Sequence, residues 1–363
     1  MKSIRCASAI AIAAAAAMIV SACSSSSSGS GAAASGSSSS GALNYKGVTL
    51  VYATPGAGSF QDAEVAAWIE PFEKLTGVKI VTTVEDPAKL QAMVQAGNVS
   101  WDLTDSTPYF DAKNCGTVVQ KISLTGVSGS FTPGSYTACG APELYTSMML
   151  MYNTKTYTSN PPTTWADFFN PQKYPGMRVM PDESYGGFFE MAETAAGTPS
   201  TKLYPIDTNA ALQEFDKIKS DSKVTPTGSL EQQLMLNNQA DLAIVPSTRA
   251  YSILKAGGSN WKIAPAPTPN FYAINELAIP VGAPHSAIAQ QFARFTAEPA
   301  QQTKICEIVG GCVPANKAAK APTLSGIAAY VNPAAYPSII VNTAYWNANY
   351  KQLIASFEDW ATS

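Results

Sequence analysis

Val48–Ala53 (VTLVYA), Asp62–Leu75 (DAEVAAWIEPFEKL), Val78–Val84 (VKIVTTV), Pro87–Ala96 (PAKLQAMVQA) and Trp101–Thr104 (WDLT) succeed one another along the chain, and this run decides the fold. Val48–Ala53 is a short apolar run of the kind that fills a buried strand. Val65, Ile69, Phe72 and Leu75 recur at helical spacing and stop before Gly77, a helix terminator. Val78–Val84 is β-branched and reads as a second strand, Pro87–Ala96 as a helix with proline in its first turn, and Trp101–Thr104 as a third strand. A βαβαβ run favours a parallel sheet, with binding loops at the carboxyl ends of its strands.

The same pattern returns further on. Leu230–Asn237 reads as a helix and Asp241–Val245 as a strand. Leu90-Gln-Ala-Met-Val-Gln before Trp101-Asp-Leu echoes Leu230-Glu-Gln-Gln-Leu-Met before Ala240-Asp-Leu, which suggests two lobes of similar build. About 320 residues from Leu43 to Ser363 suffice for two such lobes.

The amino-terminal region reads as an export and anchoring signal. Lys2 and Arg5 precede an Ala-rich apolar stretch, Ile10 to Val20, too short for a permanent membrane span, so residues 1–22 are expected to be a signal peptide. Val20-Ser-Ala-Cys23 resembles a bacterial lipobox, which makes Cys23 the expected lipidated residue. Residues 23–45 form a Ser/Gly/Ala tether that cannot bury enough apolar surface to fold; its 19 Ser/Gly/Ala-rich residues reach roughly 25 Å. The expected location is therefore extracytoplasmic, lipid-anchored to the cell membrane.

Composition excludes several functions. Beyond Lys2 and Arg5 there are 21 basic and 26 acidic side chains and no basic run, so nucleic acid is not an expected partner. Cys115, Cys139, Cys306 and Cys312 form an even set in an oxidising compartment; of their three possible pairings, Cys115–Cys139 and Cys306–Cys312 are each local in sequence and are the pairs expected. There is no Cys-x-x-Cys, and His285 is the only histidine, so neither a metal nor a cofactor is expected. His285 lies before a helical pattern, as an exposed helix-start residue would, which leaves nucleophilic triads without a base. Catalytic residues are not expected, although an enzyme built on paired carboxylates, acting on wall or glycan material at the surface, is the competing reading.

Several stretches together resemble the extracellular solute-binding proteins of ABC importers, specifically the spermidine/putrescine-type group. These are Phe72–Ile80, Trp101-Asp-Leu, Tyr152-Asn-Thr-Lys155 followed by Pro162–Phe169 and Tyr174–Arg178, Leu277-Ala-Ile-Pro280 with Gly282-Ala-Pro284, and Asn342–Trp346 through Trp360. The resemblance spans nearly all of residues 46–363 and implies an α/β, two-lobed (type II) periplasmic-binding-protein fold with the ligand cleft between lobes. It implies lobe one from residues 46–152 plus 276–320 and lobe two from 153–275 plus 321–363; Met148–Tyr152 and Ile274–Ile279, apolar and bounded by turn residues, read as strands suited to the crossings. Its expected partners are a small-molecule solute and an ABC permease, with the protein itself a monomer.

Loops at strand ends supply the candidate ligand residues. Thr54, Gly58 and Ser59 belong to a Gly-rich turn that either receives an anion at a helix start or is only a flexible connection. Asp105 either pairs with an amine or caps the next helix, and the resemblance gives Thr107 and Tyr109 ligand-facing positions. Ser184 and Tyr185 open the helix Phe188–Ala196, with Tyr185 stacking on a ligand or packing. Arg249 either clamps a carboxylate or joins two helices, and Asn275 and Glu276 lie at the return crossing. Trp165 reads as packing. The resemblance also carries departures: acids that hold a polyamine in that group fall on Gly187 and Asn275, and an aromatic falls on Pro246. The tyrosine pair of ferric-ion binders is absent. A smaller amine-bearing, amino-acid-like solute therefore fits better than a long polyamine.

Overall fold

The structure is a computed structural model that describes residues 44–56, 58–132, 134–182, 187–265, 269–320 and 338–363, without the Ser59 side chain. The expected signal peptide, Cys23 and most of the tether lie outside the described residues, as do Ser184 and Tyr185.

β1 (Thr49–Thr54) pairs in parallel with β2 (Lys79–Val84), from Thr49↔Lys79 to Thr54↔Val84, and with β3 (Leu103–Ser106). The helix between β1 and β2 runs through Ser59–Glu64, Val65–Ile69 and Glu70–Thr76, and its middle segment is a π turn that buries Ala67, Trp68 and Ile69. The apolar spacing of the sequence carries no mark of that wider turn. Gly77 ends the helix in the left-handed region, at φ 74°. Asp86 caps the next helix, Pro87–Gln95, by accepting from the Lys89 amide at 2.9 Å.

β4 (Gly140–Asn153) is buried at every position and is longer than the crossing expected over Met148–Tyr152. β5 (Arg178–Pro181), β6 (Ser222–Thr225) and β7 (Leu242–Pro246) then repeat the opening run. Helices Phe188–Ala195 and Thr208–Ile218 lie between β5 and β6, and helix Gly228–Leu236 lies between β6 and β7. After β8 (Trp261–Ile263) the chain returns through β9 (Asn270–Ala278) and adds β10 (Cys312–Pro314) and β11 (Ser338–Ile340).

The main sheet path is β2-β1-β3-β9-β4-β7-β5-β6. Both outer thirds are parallel and have the order second-first-third, joined through the antiparallel pair β9–β4. The echo between Leu90 and Leu230 is therefore topological: each marks the helix between the second and third strand of its half.

Each half has its own core. Tyr52, Trp68, Phe72 and Phe292 pack in the first; Trp165, Phe189, Phe215 and Trp346 pack in the second. The final helix, Thr343–Thr362, joins the second core through Trp346, Leu353, Phe357 and Trp360, which recur on one face. Each such side chain contributes roughly 1.5–3 kcal/mol on burial. Arg178 is also fully buried, donating to the carbonyls of Phe168, Tyr174 and Gly176 at 2.7 Å each, so its charge ties a loop to β5. Trp165 begins helix Trp165–Phe168 inside a Thr164/Asp167 capping box and packs as expected.

Both local disulfides are present, with Cα separations of 5.5 Å for Cys115–Cys139 and 5.4 Å for Cys306–Cys312. The first ties the end of helix Pro108–Asn114 to the start of β4, and the second ties helix Pro299–Val309 to β10.

Candidate functional site

All six parallel strands direct their carboxyl ends at one cavity of about 230 Å³. Pro55 follows β1, Glu85 follows β2, and Asp105, Ser106 and Thr107 end β3. From the other half come Pro181 and Asp182 at the end of β5, Thr225–Gly228 at the end of β6, and Arg249 after β7. Ala273–Asn275 of β9 forms the floor, and Tyr350 of the last helix closes one wall. The volume lies below the roughly 300–1,000 Å³ of drug-sized sites, which leaves room for a small solute.

The cavity is acidic. Glu85, Asp105 and Asp182 feel one another: burial pushes Glu85 well above the ordinary carboxylate range, and the charges of Asp105 and Asp182 add to that. Burial raises Asp105 to about 7, while hydrogen bonds from Tyr52 and Glu64 oppose the rise. Arg249 supplies a guanidinium to the lining. It donates to Gln232 Oε1 at 3.0 Å and lies across the first turn of helix Gly228–Leu236. A Cβ on Gly228 would stand 2.4 Å from Arg249 Nη2, so only glycine leaves that guanidinium its place.

Of the expected ligand residues, Asp105, Thr107, Tyr109, Arg249 and Asn275 come together at the cavity. Asp105 does not cap the following helix; it accepts from the Tyr52 hydroxyl at 2.5 Å. Thr107 stands at the N-cap of helix Pro108–Asn114 but makes no side-chain capping bond. Tyr109 is largely buried, its ring packed against Trp346 and Tyr350 with centroids 5.4 and 5.9 Å away, so it also holds the last helix at the cleft.

Thr54 and Gly58 are not part of the lining. Thr54 is fully buried under its own turn, with Oγ1 accepting from Gly56, and among the described residues of that Gly-rich loop Pro55 reaches the cavity. Glu276 is turned the other way. It is fully buried, accepts from Thr137 N at 2.7 Å and Thr137 Oγ1 at 2.9 Å, and burial raises it to about 7. Asn275 and Glu276 are neighbours on a strand, so their side chains leave opposite faces, and the Glu276 carboxylate is the one turned away from the cleft.

Glu85, Asp182, Gly228 and Tyr350 were missed by the sequence reading. Glu85 carries a usable signal, since it directly follows the second strand of its half. At Gly187 the backbone is left-handed, at φ 98°, so the acid that the polyamine group carries would be strained there. Pro246 ends β7 opposite Met148 and does not line the cavity. His285 stands at the N-cap of helix Ser286–Ala297 and its Nδ1 lies 3.1 Å from Asp102, which makes it a local structural contact.

A parallel-stranded half on each side of a crossing pair, with one cavity where all carboxyl ends meet, is the build of a protein that closes on a solute. Residues 67–335 match the profile of the bacterial extracellular solute-binding protein family, and the chain belongs to that family. It is 26% identical over 316 residues to the gamma-aminobutyric acid-binding protein of Pseudomonas aeruginosa, covering 84% of this chain and 88% of that one. Among solved structures it resembles the binding protein AgtB of A. tumefaciens R10 in complex with agropinic acid, with 27% identity, a TM-score of 0.78, and 88% and 100% of the two chains covered. It also resembles a GABA receptor at 26% identity and a TM-score of 0.71, covering 86% and 97%. The fold is the two-lobed α/β fold of periplasmic binding proteins.

Proposed function

We propose that this solute-binding protein captures a small zwitterion, with an amine at one end and a carboxylate at the other, for an ABC permease. The observation that carries this reading is the charge layout of the cavity: Glu85, Asp105 and Asp182 on its walls, and Arg249 over the start of helix Gly228–Leu236. A desolvated ammonium needs carboxylate partners, and a guanidinium is the best match for a carboxylate. Asp105 and Glu85 are the partners we assign to the amine and Arg249 to the acid, with Thr107 and Asn275 as neutral contacts. Two relatives whose names specify gamma-aminobutyric acid support an amino-acid-like solute. Strain against an acid at Gly187 weighs against spermidine. Lobes at residues 46–152 plus 276–320 and 153–275 plus 321–363 would close on the solute, and Cys23 with its tether would keep the monomeric protein beside the permease.

Thermal unfolding with gamma-aminobutyrate, n-butylamine, butyrate and spermidine tests the reading. A ligand at a hundred times its Kd stabilises by about 2.7 kcal/mol. Stabilisation only by the compound carrying both groups is expected. Equal stabilisation by n-butylamine would remove Arg249 from the site, and turnover of a glycan would favour the surface-enzyme reading instead.

A further inference from the structure

Behind the cavity lies a group of carboxylates that solute capture leaves unexplained. Glu64 stands at the entry to the π turn, Asp105 lies within β3, and Glu143 stands at the irregularity in β4 between Pro142 and Leu144. Glu64 and Glu143 are fully buried and Asp105 is 7% exposed. One carboxylate oxygen from each lies within 4.8 Å of those of the other two. The Tyr52 hydroxyl lies 2.8 Å from Glu64 Oε1 and 2.5 Å from Asp105 Oδ1, and its single proton serves one of them at a time. These contacts engage one oxygen of Glu64 and one of Asp105, and leave Glu64 Oε2 and Asp105 Oδ2 buried without a hydrogen-bond partner among the described residues.

Glu143 is the remainder. Neither of its two buried oxygens has a hydrogen-bond partner among the described residues. Its surroundings are the acids Asp105, Glu85, Glu276 and Asp111. Ionised, it is an uncompensated buried charge among other acids, which is costly. Both oxygens would gain a partner from a cation set between the three side chains.

We propose that Glu64, Asp105 and Glu143 form a binding site for a hard divalent cation of the Ca²⁺ class beneath the solute cleft. The donor set is oxygen only, which disfavours zinc and copper. Ca²⁺ takes oxygens at about 2.3–2.6 Å, so two of its ligands stand at most roughly 5 Å apart, in keeping with the observed span. Mg²⁺ demands a tighter octahedron and retains waters, for which a dry site is poorly suited. The two unbonded oxygens of Glu143 suit bidentate ligation. Asp105 is the member that also lines the cavity, so the ion enters past it and stiffens the end of β3. Three carboxylates around a divalent ion keep a net negative charge, so the cavity stays attractive to an amine. The site does not depend on which solute the cleft takes.

The purified protein, stripped with a chelator, is titrated with CaCl₂ while its unfolding temperature is followed. In parallel it is titrated with Tb³⁺, whose luminescence is excited through Tyr52. We expect a rise of several degrees at millimolar Ca²⁺, one Tb³⁺ per chain, and displacement of that Tb³⁺ by Ca²⁺. Glu143→Gln should weaken cation binding at least tenfold, whereas Glu70→Gln, on the exposed side of the same helical run as Glu64, should leave it unchanged. If Glu143→Gln does not fold, the unaltered protein decides alone. No stabilisation by Ca²⁺ and no displaceable Tb³⁺ would overturn the proposal, and so would Tb³⁺ binding that survives Glu143→Gln.

Discussion

Replacing Gly228 by alanine isolates the role of Arg249 without touching its charge. The added Cβ would stand 2.4 Å from Nη2 and 3.0 Å from both Cζ and Nε of Arg249. Ordinary contacts begin near 3.4 Å, so the guanidinium must move by on the order of 1 Å, a shift that disrupts bidentate carboxylate geometry. It would also strain the 3.0 Å bond to Gln232. A hydrogen bond to a charged group is worth about 1.5–3 kcal/mol, so affinity for a carboxylate-bearing solute should fall roughly 10- to 150-fold. Stability should not fall with it, because Gly228 begins a helix without a positive φ and alanine is the better helix former by up to ~1 kcal/mol. Calorimetric titration beside thermal unfolding separates the two effects. The decisive control is the same substitution in an Arg249→Ala background, where it should cost nothing further. An equal loss of affinity on both backgrounds would refute the assignment of Arg249 to the carboxylate.

Other expectations follow from the same structure. Arg178→Met leaves three inward carbonyls without their donor and should lower stability by at least roughly 4 kcal/mol in denaturant unfolding, while solute affinity per folded molecule stays the same. Burial raises Asp105 and Glu276 to about 7, so the folded chain keeps protons that the unfolded chain releases near pH 4. Their contribution is fully present below that pH and is lost as pH rises through 7, at up to about 1.4 kcal/mol per unit for each proton. With chelator present, the unfolding temperature should therefore fall between pH 5 and 8; a rise would contradict it. Asp167, held below its usual range despite the opposing effect of burial by bonds from Thr163, Thr164 and Lys173, acts only at lower pH. Finally, Cys23→Ser should release the protein from the membrane fraction or leave its precursor unprocessed, as seen by fractionation and intact mass, and normal processing with unchanged retention would refute lipid anchoring.

The architecture was legible because its signals are local. Apolar runs, helical spacing and the Gly77 stop marked the βαβαβ run, and the Gln/Met-bearing helices of Leu90 and Leu230 marked its repeat. The disulfides were legible because each pair is close in sequence. The site was legible only where a strand end had been recognised as such, as at Asp105 and Arg249. Glu85 is hard to tell in sequence from its neighbour Asp86, which caps the following helix. Glu276 follows Asn275 in the sequence, but strand alternation turns its carboxylate to Thr137 on the other face. Tyr350 reaches the cavity from the far end of the chain, and no periodicity reports such an approach. The π turn after Glu64 was invisible for a related reason: one wider turn leaves the apolar spacing nearly intact, yet it sits directly beside the buried acids.

The central claim is that the cleft selects a small amine carrying a carboxylate. Isothermal titration of the unaltered protein with gamma-aminobutyrate and with spermidine, repeated on Asp105→Asn, tests it most directly. The account predicts saturable one-to-one binding of gamma-aminobutyrate, weakened roughly 10- to 150-fold by Asp105→Asn, and much weaker binding of spermidine. Submicromolar spermidine binding that Asp105→Asn abolishes, with no heat from gamma-aminobutyrate, would contradict it.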